Sequence, residues 1–269
     1  VGLAALAAQG LTSIPHLVGA GLALAGLVGL AATGGLPRAL WPDHRAFWAL
    51  FAVVAVGYGV LIWASYQSMS FPYADTGYAA ERIGGLAEHG TFYLYTLGRH
   101  GLADHWCPLL TVFVPLWKLW PTFLWFPIAK VVAFLLTAVL LQRLGRELLG
   151  PGSKAVWVLP CLWLVHVVVG YGVLFDFQTD HLAPPLIVGA FLAAHRRRWL
   201  VMALCLVVLV GLKENMGLVW ICLGLWLAME QGRRRLGLGI AAAGVLIGCV
   251  VFFVLMPLFS EGVQVHESR

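Results

Sequence analysis

Apolar runs follow one another along the chain at roughly 14–34, 46–66, 121–142, 155–174, 182–195, 199–212, 216–230 and 236–257, with a shorter run near 108–120. Runs this long and this closely spaced leave few folds open. The chain has 269 residues, of which 61% are hydrophobic and 11% charged, and its mean hydropathy is +0.89. A soluble domain of this length cannot bury that much apolar surface, so its solvent is mostly lipid. The runs are continuous rather than alternating, which predicts helices and not a β-barrel. The expected fold class is all-α: a multi-pass transmembrane helical bundle of about eight spans. Residues 1–45 read as an extra N-terminal transmembrane segment, and 46–269 as the main membrane domain. The missing initial Met and the polar end "SEGVQVHESR" after an apolar run suggest a fragment of a longer protein, with this domain truncated at its C-terminal end.

The net charge of +5 is spread in small basic clusters between apolar runs. That is the positive-inside pattern rather than a nucleic-acid footprint. The clusters are Arg38 and Arg45; Arg143, Arg146 and Lys154; Arg196, Arg197 and Arg198; and Arg233, Arg234 and Arg235. With all four cytoplasmic, the run near 108–120 must be interfacial or re-entrant. Asp75, Asp104, Asp176, Asp180, Glu81, Glu88 and Glu214 then all lie outside, a segregation that the charge rule did not impose. Only 34 residues separate Arg198 from Arg233, whereas two full crossings need about 40. The tip "LKENMG" is therefore expected to be recessed, facing protein or a water-filled cavity.

The connection from about Gln67 to Trp106 is too long for a structureless loop. Within it, "DTGYAAERIGGLAEHG" reads as an interfacial helix capped by Asp75 and stopped by Gly90, with an apolar stripe of Tyr78, Ile83 and Leu86. Asp75 has two compatible roles, helix cap and general base. Asp104-His105-x-x-Pro108 and Asp180-His181-x-x-Pro184 each place an acid and a first-turn proline before an apolar helix, as a cap requires. A cap does not explain the histidines. Two Asp-His pairs on one face could bind a divalent metal or a phosphate, but their spacing matches no metal-ligand pattern, so no metal or cofactor is expected. Lys213 beside Glu214 is either a structural ion pair or a partner for a phosphate. Lys130, inside "FPIAKVVAF", is either a weaker phosphate candidate or a snorkelling lysine, and His166 reads as a satisfied interior histidine.

"DTGY", "AEHGTFYLY", "LADHWCPLL", "FDFQTDHLAPPL", "LKENMGLV" and the "RRR" triplets, in that order, resemble a family of predicted bacterial and archaeal polytopic membrane proteins. That family is catalogued as a domain of unknown function and grouped with the GT-C glycosyltransferases. The resemblance runs from about Tyr66 to Pro257. It implies a GT-C-like bundle whose long first outer loop carries interfacial helices and the catalytic acid, here Asp75. A second acid, usual five residues on, is replaced by Ala80, with Glu81 adjacent. The familiar "FDFHPE" is here "FDFQTD".

The function implied is transfer of a sugar from a polyprenyl-phosphate donor at the outer face of the plasma (inner) membrane. Asp75, Glu81, Asp104 and Asp180 are the candidate catalytic acids. His105, Asp176, His181, Lys213, Glu214, Arg82 and Arg99 are the candidate substrate contacts, with lipid along helix faces near Trp117 and Trp120. The alternatives are a transporter or lipid flippase, which would carry its charges mid-helix, and a non-catalytic membrane scaffold.

Overall fold

The computed structural model describes residues 43–67, 74–150, 152–229 and 232–264. The expected span at 14–34 lies outside them, as does nearly all of the expected N-terminal segment. In chain order the elements are α1 (His44–Gln67), α2 (Ala74–His89), a two-residue antiparallel hairpin of β1 (Tyr93–Leu94) and β2 (Arg99–His100), α3 (Gly101–Asp104), a 3-10 turn (Pro108–Phe113) and α4 (Val114–Leu119). Then come α5 (Trp125–Leu149), α6 (Val158–Val165), α7 (Val167–Leu174), a 3-10 turn (Thr179–Leu182) and α8 (Ala183–His195). The series ends with α9 (Trp199–Val210), α10 (Gly217–Met229), α11 (Arg234–Val250), a π-helical stretch (Val251–Leu255) and α12 (Met256–Gln264). Among the described residues the architecture is helical apart from the hairpin.

Among the described residues three helices are long and apolar enough to cross a membrane: His44–Gln67, Trp125–Leu149 and the continuous Arg234–Ser260. The other apolar helices are shorter. The run near 108–120 is a 3-10 turn followed by the six-residue α4, too short to cross about 30 Å of hydrocarbon. At 12 and 13 residues, α9 and α10 are each about 18–20 Å long. They too fall short of that thickness, in keeping with a shallow hairpin.

The chain divides into two compact units, one of residues 1–73 and 126–176, the other of residues 74–125 and 177–269. In the first, Asp43 caps α1 by accepting the Ala46 N–H at 2.8 Å. Phe47, Phe134, Ala138, Leu164 and Val173 form its core. Trp163 stacks on Phe134 and donates its indole N–H to the Phe134 carbonyl at 3.0 Å.

Lys130 does not snorkel. It is 3% exposed, and its ammonium donates to the carbonyls of Gly172 and Asp176, both at 3.3 Å, and to that of Phe175. These carbonyls lie at or just past the end of α7, where backbone acceptors lack intrahelical partners. A cation there also suits the negative end of the helix dipole. His166, in extended conformation, splits the expected 155–174 span into α6 and α7. Its Nδ1 is buried without a hydrogen-bond partner among the described residues.

The second unit is built around α8–α11. Ala190, Leu206, Leu209, Leu223 and Leu227 are buried at its centre. The α8–α9 turn holds the first arginine triplet, with Arg197 at φ 58° and the Arg198 N–H bonded to Ala193 O at 2.8 Å. Helices α10 and α11 run antiparallel with their backbones in contact. A Cβ on Gly224 would stand 2.5 Å from Gly237 O and 2.6 Å from Ala241 N. One on Gly244 would stand 2.7 Å from Gly217 O. In lipid, apolar burial gives helices no reason to associate, and close packing of small residues takes its place.

Helix α2 ends as expected: Gly90 is left-handed at φ 71°, and the Thr91 N–H reaches back to Gly85 O. Of the expected stripe Ile83 is fully buried, while Thr76, Ala79 and Arg82 join it in place of Tyr78 and Leu86, which are half-buried. The rotation follows from Arg82, which turns inward to an acid. Helix α12 leans on the hairpin, where Phe259 stacks on His100 with ring centroids 4.7 Å apart.

Candidate functional site

A pocket in the second unit is lined by Asp75, Ala79, Arg82, His105, Cys107, Leu110, Phe177, Gln178, Thr179 and Lys213. It encloses about 90 Å³ and is partly open at its mouth. Four of the sequence candidates therefore share one pocket: Asp75, Arg82, His105 and Lys213.

Asp75 is not the cap of α2. The helix already includes Ala74, and Asp75 sits in the first turn. A carboxylate there still faces the positive end of the helix dipole. Its Oδ2 accepts the side-chain amide of Gln178 at 3.1 Å.

Asp104 is not a cap either. It ends α3, and Cys107 occupies the cap position of the following turn without a side-chain bond. Asp104 instead bridges two arginines, Arg82 at 3.0 Å and Arg99 at 2.6 Å. Arg82 is 6% exposed, and a buried guanidinium needs such a counter-charge. Asp180 lies inside the 179–182 turn, whose cap is Gln178. Its partner is Lys213 at 2.8 Å.

His181 closes a capping box with Gln178. The Gln178 backbone N–H donates to His181 Nδ1 at 3.2 Å, and the Gln178 side-chain oxygen takes the His181 backbone N–H. The box thus accounts for one of the two histidines that a simple cap left unexplained. The other, His105, pairs its Nδ1 with Glu214 Oε1 at 3.2 Å, while Glu214 Oε2 takes the Trp106 N–H at 3.1 Å.

The hairpin tip is held residue by residue. Gly211 O accepts the Leu109 N–H at 2.8 Å, Leu212 O accepts the Thr179 hydroxyl, Lys213 meets Asp180, and Glu214 meets His105 and Trp106. The 177–180 segment divides its bonds in the same orderly way. The Phe177 N–H reaches Thr76 Oγ1 at 3.1 Å and Gln178 reaches Asp75, both on α2, whereas Thr179 and Asp180 bind the tip.

Seven candidates are not among the residues that line the pocket: Glu81, Arg99, Asp104, Asp176, Asp180, His181 and Glu214. Glu81 accepts the Thr96 N–H at 3.0 Å and steadies the hairpin turn. Asp176 belongs to the first unit, where its carbonyl accepts from Lys130. Trp117 packs beside Gly84, and Trp120 is half exposed. Sequence reasoning gave no pocket role to Gln178, Thr179, Phe177 or Cys107. The signal for the first three was the tetrapeptide spacing within "FDFQTD". Burial pushes the Cys107 thiol up to about 11, so it stays protonated at neutral pH and is no nucleophile. Among the described residues no group of three or more His, Cys, Asp or Glu is placed to hold a metal.

The His105–Glu214 pair has a definable pH window. The Glu214 hydrogen bond holds His105 above its ordinary value of 6.5, against the opposing pull of burial. Burial pushes Glu214 up, but the His105 and backbone hydrogen bonds outweigh it and leave it below 4.5. The raised His105 contributes stability in full below pH 6.5, and this is lost as pH rises through its folded value. The lowered Glu214 contributes in full above pH 4.5, and this is lost as pH falls through its folded value. The pair is thus strongest between these two values. Unfolding followed against pH should show His105→Gln flattening the alkaline limb. An unchanged limb would mean that the pair contributes nothing.

No curated protein and no solved structure matches the chain. A family of membrane proteins does match it, over residues 58–268 and hence over the whole pocket and the helices that carry it. The chain belongs to the family described as "predicted membrane protein (DUF2079)".

Proposed function

We propose that the chain is an integral membrane glycosyltransferase of GT-C-like architecture, moving a sugar from a polyprenyl-phosphate donor to an acceptor. One observation carries this reading: Asp75, the first acid of the long connection after α1, opens onto the same pocket as Arg82, His105 and Lys213. Asp75 takes the proton of the acceptor hydroxyl as its oxygen bonds to the sugar's anomeric carbon. The bond from that carbon to the phosphate oxygen breaks, and the lipid phosphate leaves with the electron pair. Lys213 and Arg82 neutralise it, each shared with the carboxylate it already meets. Arg99 adds positive charge behind Arg82 through Asp104. The lipid tail lies along apolar helix surface near Trp120.

A transporter or flippase would place charge along a path through its helices. Here the buried lysine of the long helix α5 is engaged by backbone carbonyls in a capping role. The test is sugar transfer from a panel of polyprenyl-phosphate donors by the full-length protein in lipid. No transfer from any donor by folded protein would favour the transporter or scaffold.

The proposed setting is the plasma (inner) membrane, with Arg196–Arg198 and Arg233–Arg235 cytoplasmic and the pocket outside. Charge segregation supports this orientation. In intact cells, a cysteine at position 197 should escape an impermeant thiol reagent. Labelling there would invert the topology.

A further inference from the structure

We propose that Gln178 is a positioning residue for the Asp75 carboxylate, an inference that rests on the reading of Asp75 as the general base. The His181 backbone N–H is shared between two Gln178 acceptors, the backbone carbonyl at 3.1 Å and the side-chain oxygen of the capping box, and this sharing orients the amide. Its oxygen takes the His181 backbone N–H in the capping box, while its backbone N–H donates to His181 Nδ1. With the side-chain oxygen turned to the His181 N–H, the NH2 group is aimed at Asp75 Oδ2, 3.1 Å away. An acceptor at His181 Nδ1 fixes that ring in the tautomer with its proton on Nε2. His181 thus orients Gln178, and Gln178 orients Asp75.

The neighbouring bonds brace this chain on both sides. The Phe177 N–H is tied to Thr76 on α2, and the Thr179 hydroxyl to Leu212 O on the tip. Gln178 is therefore presented from a segment anchored immediately before and after it. Asp75, Gln178 and Thr179 all line the pocket, so the hydrogen bond lies in its wall. The donor is neutral. It holds one carboxylate oxygen without cancelling the charge that a base needs, and it directs the carboxylate for proton transfer.

Gln178→Glu separates positioning from capping. Glutamate keeps an acceptor oxygen for the His181 N–H, so the 179–182 turn survives, but it replaces the donor facing Asp75 with a second carboxylate. Gln178→Leu removes both functions. In the transfer assay, Gln178→Glu is expected to lower kcat by about 10–100-fold with KM changed by less than about threefold. The protein should remain folded, with thermal stability lowered at neutral pH by the carboxylate pair and recovering toward wild type as pH falls and one of the two is protonated. The acid limb of the pH–rate profile should move to higher pH, because two adjacent carboxylates resist joint ionisation. Wild-type kcat and an unmoved acid limb in Gln178→Glu would reduce Gln178 to a cap and overturn the proposal.

A second measurement needs no substrate. In isotope-edited infrared spectra of the full-length protein with labelled aspartate, the Asp75 carboxylate band is assigned by its loss in Asp75→Asn. It should shift in both Gln178→Glu and Gln178→Leu. A band unmoved in both would overturn the proposal whatever the activity data say. Full activity in Asp75→Asn would instead remove Asp75 as the base, leaving the infrared result to decide whether Gln178 holds the carboxylate.

Discussion

Asp75→Asn should lose sugar transfer by about 10²–10⁴-fold while remaining folded. Asparagine preserves size, and its side-chain oxygen can still accept the Gln178 amide that meets Asp75 at 3.1 Å. What disappears is the negative charge and the ability to take a proton. The charge sits in the first turn of α2, where its interaction with the helix dipole amounts to about 0.3–1 kcal/mol. The expected drop in thermal stability is correspondingly small. Transfer from the donor that supports wild-type turnover, with unfolding followed in parallel, separates the two effects. Wild-type turnover by the variant would move the base elsewhere. Asp104 and Asp180 are then the next acids to test, although each already faces a cation: Asp104 meets Arg82 and Arg99, and Asp180 meets Lys213. A carboxylate held by a cation is a weaker base.

Gly224→Ala should destabilise the protein by about 1–3 kcal/mol, through overpacking between α10 and α11. The added Cβ would stand 2.5 Å from Gly237 O and 2.6 Å from Ala241 N. Those are backbone atoms, so the helices must part, and no rotamer change relieves the clash. The usual helical gain from Gly to Ala, about 0.5–1 kcal/mol, is too small to offset this. Gly239→Ala is the control. It lies on the same helix α11 with nothing within 4 Å of the added atom, so it should be neutral or slightly stabilising. Opposite signs of the two melting shifts in lipid or detergent are the expected result. Equal shifts would mean that the backbones do not approach this closely.

The helices were legible in the sequence because their signal is local. Continuous apolar runs, arginine triplets at turns, Gly90 after a helical stretch and the first-turn prolines each act within a few residues. The short hairpin could be read from a residue count, and its tip does carry Lys213 to Asp180. What could not be read were choices of partner. Asp104 looks like a cap until Arg82, 22 residues away, is folded beside it. His105 looks unexplained until Glu214, 109 residues away, arrives. Lys130 inside an apolar run gives no hint that a helix ending some 40 residues later supplies three carbonyls. A snorkelling lysine and a buried capping lysine have the same local sequence, and only tertiary structure separates them. The buried stripe of α2 was read only in part, for a related reason. Apolarity was used to choose its inner face, whereas a paired arginine turned another face inward.

The segment from Phe177 to Asp180 makes four side-chain or backbone attachments in strict succession, two to α2 and two to the hairpin tip. Such a segment tolerates changes of composition far better than changes of length. Replacing Thr179 by Ser preserves a hydroxyl for Leu212, and replacing Asp180 by Glu preserves a carboxylate for Lys213. Removing one residue is a different kind of injury. Every attachment downstream of the deletion is offered to its neighbour's partner, so a hydroxyl arrives where an amide is needed and a carboxylate where a hydroxyl is needed. No single substitution elsewhere can restore all of them. The spacing of these four residues, more than the identity of any one of them, is what the pocket wall inherits from the chain.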